Sequence, residues 1–157
     1  MSAVEESFQV LVVGVDGSDG SRGALAWAGR LTLATGAHVV AVHVLTYNRE
    51  LLRDSTLDTM RTWRRELKDD LRTKWVEPLI AAGVEHRCLV VEGESPAAGL
   101  LETADRERAD LLIVGAQGSG GLADRVLGGV SYRVTHRAHQ PVVVVPLNWS
   151  APRRKHG

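Results

Sequence analysis

The chain has 157 residues, with 19 basic and 19 acidic side chains and a formal net charge of zero. That length makes one ordinary domain, able to bury roughly 68–70% of its unfolded surface without staples. Charge balance argues against nucleic acid or an anionic membrane as principal partner, since both demand a basic excess, and a single cysteine, Cys88, excludes an internal disulfide framework and a cysteine-based zinc site.

The β-branched run Gln9–Val15 predicts a buried strand. A helix follows over Ser18–Thr35, with Ala24, Leu25, Trp27, Ala28, Leu31 and Ala34 on one face, Ser18 or Asp19 as cap and Gly36 as stop. His38–Val44 predicts the second strand. A long helical stretch then carries Met60, Trp63, Leu67, Leu71, Trp75 and Leu79 as one apolar stripe, read as core, and ends at Gly83. Val84–Val91 predicts the third strand, Pro96 to about Arg108 a helix capped by Ser95, and Ala109–Val114 the fourth strand. After a glycine-rich segment come a helix from Gly129 to Ala138 and a last strand, Pro141–Pro146. Cys88, inside an apolar run, reads as a structural thiol. Strands alternating with helices imply an α/β fold: a single-domain, five-stranded parallel sheet with helices on both faces and right-handed crossovers. Residues 1–147 are expected to form that domain and 148–157 a tail, whose Arg153-Arg154-Lys155 reads as solvated. No apolar run approaches the ~20 residues of a membrane helix. The acidic opening Met1–Glu6 is unlike a secretory signal, so a cytoplasmic setting is expected.

In such sheets ligands bind outside the carboxyl ends of strands, where the strand order reverses. The ends to inspect are Gly14–Gly17, Val44–Thr46 and Gly115–Gly121. The fourth strand ends in Gly115-Ala-Gln-Gly118-Ser-Gly-Gly121, nine residues separate Gly118 from Gly128, and Gly128-Gly129-Val130-Ser131 opens the next helix. Glycines let the backbone approach a ligand, and free N–H groups at a helix start favour a phosphate; Ser131 adds a hydroxyl. The plainer reading is a loop that only connects strand to helix. No Gly-x-x-x-x-Gly-Lys-Ser/Thr is present, which excludes a P-loop. Gly118–Ala123 fits the loose dinucleotide pattern, but it follows the fourth strand, and about 20 residues on stands Val143 rather than an acid, so NAD is rejected. At the end of the first strand, Asp16 can accept from a ribose or an adenine amine, or serve only as a turn or cap residue, and Gly14 leaves room for a flat base.

Taken together, Val13-Gly-Val-Asp-Gly-Ser18, Val42-His-Val44, Gly115-x-x-Gly-x9-Gly128 and the Pro141-Val-Val-Val-Val run resemble the universal stress protein family over nearly the whole chain. The resemblance implies a five-stranded parallel fold of the adenine-nucleotide α-hydrolase-like, Rossmann-like type, usually dimeric, with an ATP-binding branch. It implies that Asp16 and Val44 border adenine and ribose, that Gly115, Gln117 and Gly118 line the ribose and α-phosphate, and that Gly128, Gly129, Val130 and Ser131 hold the outer phosphates. A divalent cation such as Mg can bridge those phosphates, with protein ligands left open. Gly129 stands where Ser or Thr is usual, which weakens phosphate binding without removing the backbone N–H; Ser131 can compensate. The last strand, if at the sheet edge, offers backbone to a second copy.

The leading expectation is an ATP-binding, nucleotide-dependent switch in stress response, acting on an unknown regulatory protein partner. The alternatives are a slow ATPase and a nucleotide-free interaction module of the same fold. For catalysis only Asp124, Arg125 and Arg22 stand near the loop, none at a spacing that demands a role. Six histidines show no metal-ligand spacing; His43 reads as packed core, and His136 and His139 as cations suited to a helix end.

Overall fold

The computed structural model describes residues 7–47, 49–118 and 127–153. Met1–Glu6, the Ser119–Gly121 part of the glycine segment, Asp124, Arg125, Arg154 and Lys155 lie outside the described residues. Five strands, β1 (Val10–Gly14), β2 (His38–Leu45), β3 (His86–Glu92), β4 (Leu111–Gly115) and β5 (Val142–Val145), form one sheet in the order β3-β2-β1-β4-β5. Every pairing is parallel. The helices are α1 (Asp19–Thr35), α2 (Arg49–Asp54), α3 (Leu57–Asp70), α4 (Glu77–Ala82), α5 (Pro96–Arg106) and α6 (Gly129–Arg137).

Why these runs become central strands is visible in their side chains. A parallel strand covered on both faces needs apolar residues at every position. In β1, Leu11 and Val13 join Ala24, Leu25 and Ala28 of α1 and Leu79 of α4 in one core cluster. Val12 points the other way, into a second cluster with Ala97, Leu100 and Ala104 of α5 and Val134 of α6. Leu11, Val12, Val13, Val40, Leu112 and Ile113 are fully buried. Each such side chain contributes about 1.5–3 kcal/mol of burial free energy.

Helix ends follow local chemistry. Ser18 caps α1 by accepting from the Ser21 N–H, and Ser95 caps α5 by accepting from Ala98, with Pro96 in the first turn. Gly36 (φ 78°) and Gly83 (φ 67°) close α1 and α4 in the left-handed region, where a side chain would be strained. The strands begin or end one or two residues from the predicted bounds, and α5 stops at Arg106 because Arg108 turns left-handed (φ 51°).

The long helical stretch is corrected. It is α2, then α3, then a π-helical turn over Leu71–Trp75, then α4. The stripe is also not uniformly core. Leu71, Trp75 and Leu79 pack in or against the first cluster, whereas no residue of α3 is buried. Met60, Trp63 and Leu67 join neither cluster. The π turn changes the pitch after Asp70, so the stripe of α3 and that of Leu71, Trp75 and Leu79 do not share one face. The segment called a tail is partly docked: Trp149 packs on the first cluster, with the Arg30 guanidinium 5.8 Å from its ring centroid. Cys88 is half-buried, and burial raises its thiol pKa.

Candidate functional site: a cavity at the switch point

Strand order reverses between β1 and β4, so the loops leaving their carboxyl ends diverge and open a crevice. A cavity of about 550 Å³ lies there, reached by the ends of β1, β2 and β4 and the start of α6. Its size falls within the roughly 300–1,000 Å³ of small-molecule clefts. All ten residues singled out in the sequence line it: Gly14, Asp16, Val44, Gly115, Gln117, Gly118, Gly128, Gly129, Val130 and Ser131.

Asp16 has two roles. Its Oδ1 accepts from the Ser18 N–H at 3.0 Å and from the Ser18 hydroxyl, which makes the turn into α1. The carboxylate also faces the β4 loop: a Cβ on Gly118 would stand 2.6 Å from Asp16 Oδ2. Gly118 therefore lets that loop pass close over the carboxylate. Gly115 serves packing, since a Cβ there would meet the Gly20 carbonyl at 2.6 Å, where α1 crosses the end of β4. The expected room above Gly14 is corrected. Leu100 fills it, its Cδ1 being 2.7 Å from an added Cβ.

The start of α6 differs from those of α1, α3 and α5, and like that of α4 it has no side-chain cap. Ser18, Thr56 and Ser95 cap α1, α3 and α5 through their side chains, whereas Gly128 supplies no side-chain cap to α6. The first N–H groups of a helix have no intrahelical acceptor. The residues that carry them at α6, Gly129, Val130 and Ser131, line the cavity. The Gly128 N–H is the exception, donating to Ala116 O at 2.6 Å. Ser131 departs from its expected part. Its hydroxyl is buried and lies within hydrogen-bond reach of two carbonyls, Ala116 O at 2.9 Å and Gly128 O at 3.0 Å. Having one proton, it donates inward, and what it offers a ligand is its backbone N–H. Around Gly129 the space is open: an added Cβ meets nothing within 4 Å.

On the β2 side, His43 lines the cavity half-buried and donates from Nδ1 to Val15 O at 2.8 Å. It meets Trp75 edge-on, with centroids 5.1 Å apart. Trp75, carried by the π turn, in turn lies across Gly17. Trp63 and Leu67 of α3 close the same side. Their apolar spacing signals a helix face without saying whether that face meets core or cavity. The other candidates stand elsewhere. Arg22 is exposed and paired with Glu77 at 2.6 Å, His139 pairs with Asp105 at 3.0 Å, and His136 donates from Nδ1 to Tyr132 O at 2.8 Å. Among the described residues no three His, Cys, Asp or Glu side chains gather as a metal site, and no helix is long and apolar enough to cross a membrane.

Fold and cavity together define a doubly wound α/β protein with a ligand-sized crevice at its switch point. Residues 7–146 match the model of the Universal stress protein family, and the chain belongs to that family. A universal stress protein of Thermus aquaticus is 30% identical over 139 residues, covering 88% of this chain and 98% of its own. One of Mycobacterium tuberculosis is 31% identical over 145 residues, covering 88% and 97%. Among solved structures, a universal stress protein in complex with cAMP is 30% identical, with a TM-score of 0.63 over 91% of this chain and 100% of that one.

Proposed function

We propose that this chain binds an adenine nucleotide, ATP in the leading reading, in the switch-point cavity and acts as a nucleotide-dependent regulator in stress response. The observation that carries it is the convergence of all three strand ends and the uncapped α6 N-terminus on one cavity. A phosphate accepting from Gly129, Val130 and Ser131 N–H groups gains charge-assisted hydrogen bonds of about 1.5–3 kcal/mol each, with the helix dipole behind them. Gly115, Gln117 and Gly118 bring backbone to the sugar and first phosphate, and Asp16 and Val44 border ribose and base. Mg would be held chiefly by the phosphates and water, as that ion usually is.

A cyclic monophosphate is the second reading. The relative solved with cAMP favours it, and so does Gly129, which lacks the hydroxyl that would help to hold outer phosphates. The domain is proposed as residues 1–147, working in the cytoplasm as a homodimer joined through β5, an edge strand of the sheet.

Nucleotide released from the denatured, purified protein identifies the ligand, and calorimetry against ATP and cAMP ranks the two. Gly118→Val should abolish binding while the fold persists, because its side chain meets Asp16 where the ligand enters. Undiminished affinity in the folded variant would refute the site. Hydrogen exchange over 115–131 should slow at saturating ATP; no change there removes the switch.

A further inference from the structure

The four tryptophans are not equivalent. Trp27, Trp75 and Trp149 pack against the first core cluster, whereas Trp63 belongs to neither cluster and lines the cavity. Leu67, one turn further along α3, does the same. The α3 helix thus places its apolar face on the cavity, having no buried residue of its own.

The position of α3 is held by the residue next to Trp63. Arg64 donates to Glu92 Oε1 at 2.8 Å and to Val90 O at 3.1 Å, both on β3. Tyr47, just past β2, donates to the same Glu92 oxygen at 3.2 Å. These contacts dock α3 on the β3–β2 side of the cavity, while α6 stands on the β4–β5 side. Adjacent strands lie roughly 4.8 Å apart, so the ends of β2 and β4 are separated by about 10 Å across β1. An anion at the α6 start therefore leaves the far end of its molecule against Trp63 and Leu67. That end must be flat and apolar to match an indole and an isobutyl group.

We infer that Trp63 is the stacking face for the purine base, with Leu67 one turn along the same helix, and that α3 rather than the glycine motif supplies the base's binding energy. The inference rests on the nucleotide reading above and deepens it by assigning the base subsite. An indole face is a sequence-tolerant platform for any base, and its loss by alanine substitution weakens binding measurably.

The test is titration of the full chain with ATP, following calorimetric heat and tryptophan emission, in wild type, Trp63→Ala and Trp63→Phe. Circular dichroism checks the fold of each variant. Trp63→Ala should raise the Kd for ATP about 5- to 100-fold. Trp63→Phe should keep it within about threefold while removing most of the emission change that ATP causes in wild type. A folded Trp63→Ala variant with wild-type affinity, or an emission change that persists in Trp63→Phe, overturns the inference and leaves the nucleotide reading intact. A wild-type chain that binds no adenine nucleotide overturns both.

Discussion

Gly129 is where one atom decides most. It is the first residue of α6, it lines the cavity, and an added Cβ would touch nothing within 4 Å. Gly129→Ser therefore fits without displacing a neighbour. It places a hydroxyl donor beside the helix N-terminus and removes a glycine whose helical cost is about 0.5–1 kcal/mol. The expected outcome is several-fold tighter ATP binding by calorimetry, with a melting temperature equal to wild type or slightly above it. Weaker binding would mean that phosphates do not lie at this turn. Asp16 shows the limit of residue-by-residue reading: turn-maker and cavity wall are both true of it, through different oxygens. Both roles were open in the sequence, and only the neighbouring Gly118 shows that they coexist.

At the scale of elements, Asp105 links the end of α5 to the connection between α6 and β5. It accepts from Gln140 Nε2 at 2.7 Å and pairs with His139 at 3.0 Å. The Gln140 hydrogen bond, then the His139 one, lower its pKa below the usual carboxylate value. A carboxyl whose folded pKa is depressed stabilises the fold above its unfolded pKa, and that stability is lost as pH falls through the folded one. Asp105→Asn should thus lower the neutral part of the melting-temperature profile, slightly because the pair is exposed, and meet the wild-type curve as pH falls below the ordinary aspartate range, so that its acid limb is flatter. A wild-type-shaped acid limb in the variant would show that the contact contributes nothing. Helix boundaries at this scale were legible from capping chemistry at Ser18, Gly36, Gly83, Ser95 and Pro96. The division of the long amphipathic stretch was not. A π turn leaves no mark in hydrophobic spacing, since Leu71, Trp75 and Leu79 keep the interval of four residues across it.

For the whole molecule, the sheet order exposes two edges, β3 and β5. Salt bridges at the β3 side, Arg64–Glu92 and Arg87–Glu107, cover that margin with charge, the usual guard against edge pairing. The four valines of β5 carry no such guard, and Leu147 beyond them is half exposed at 49%. Pairing of this margin with a second copy predicts a dimer mass in sedimentation that reverts to monomer when the exposed Leu147 is changed to Lys. A wild-type monomer at high protein concentration would remove β5 as an interface.

The alternation of strands and helices, the parallel sheet and the strand ends that open on the cavity followed from the sequence, because hydrophobic period, capping residues and glycine spacing are local properties, whereas Val44 and Gln117 were named through the family resemblance. Which faces meet is not local. Leu100 filling the room above Gly14, Ser131 turning its hydroxyl to Ala116, and Trp63 leaving the core for the cavity each depend on elements far apart in the chain. Apolar spacing states only that a face avoids water; packing alone decides whether protein or ligand covers it.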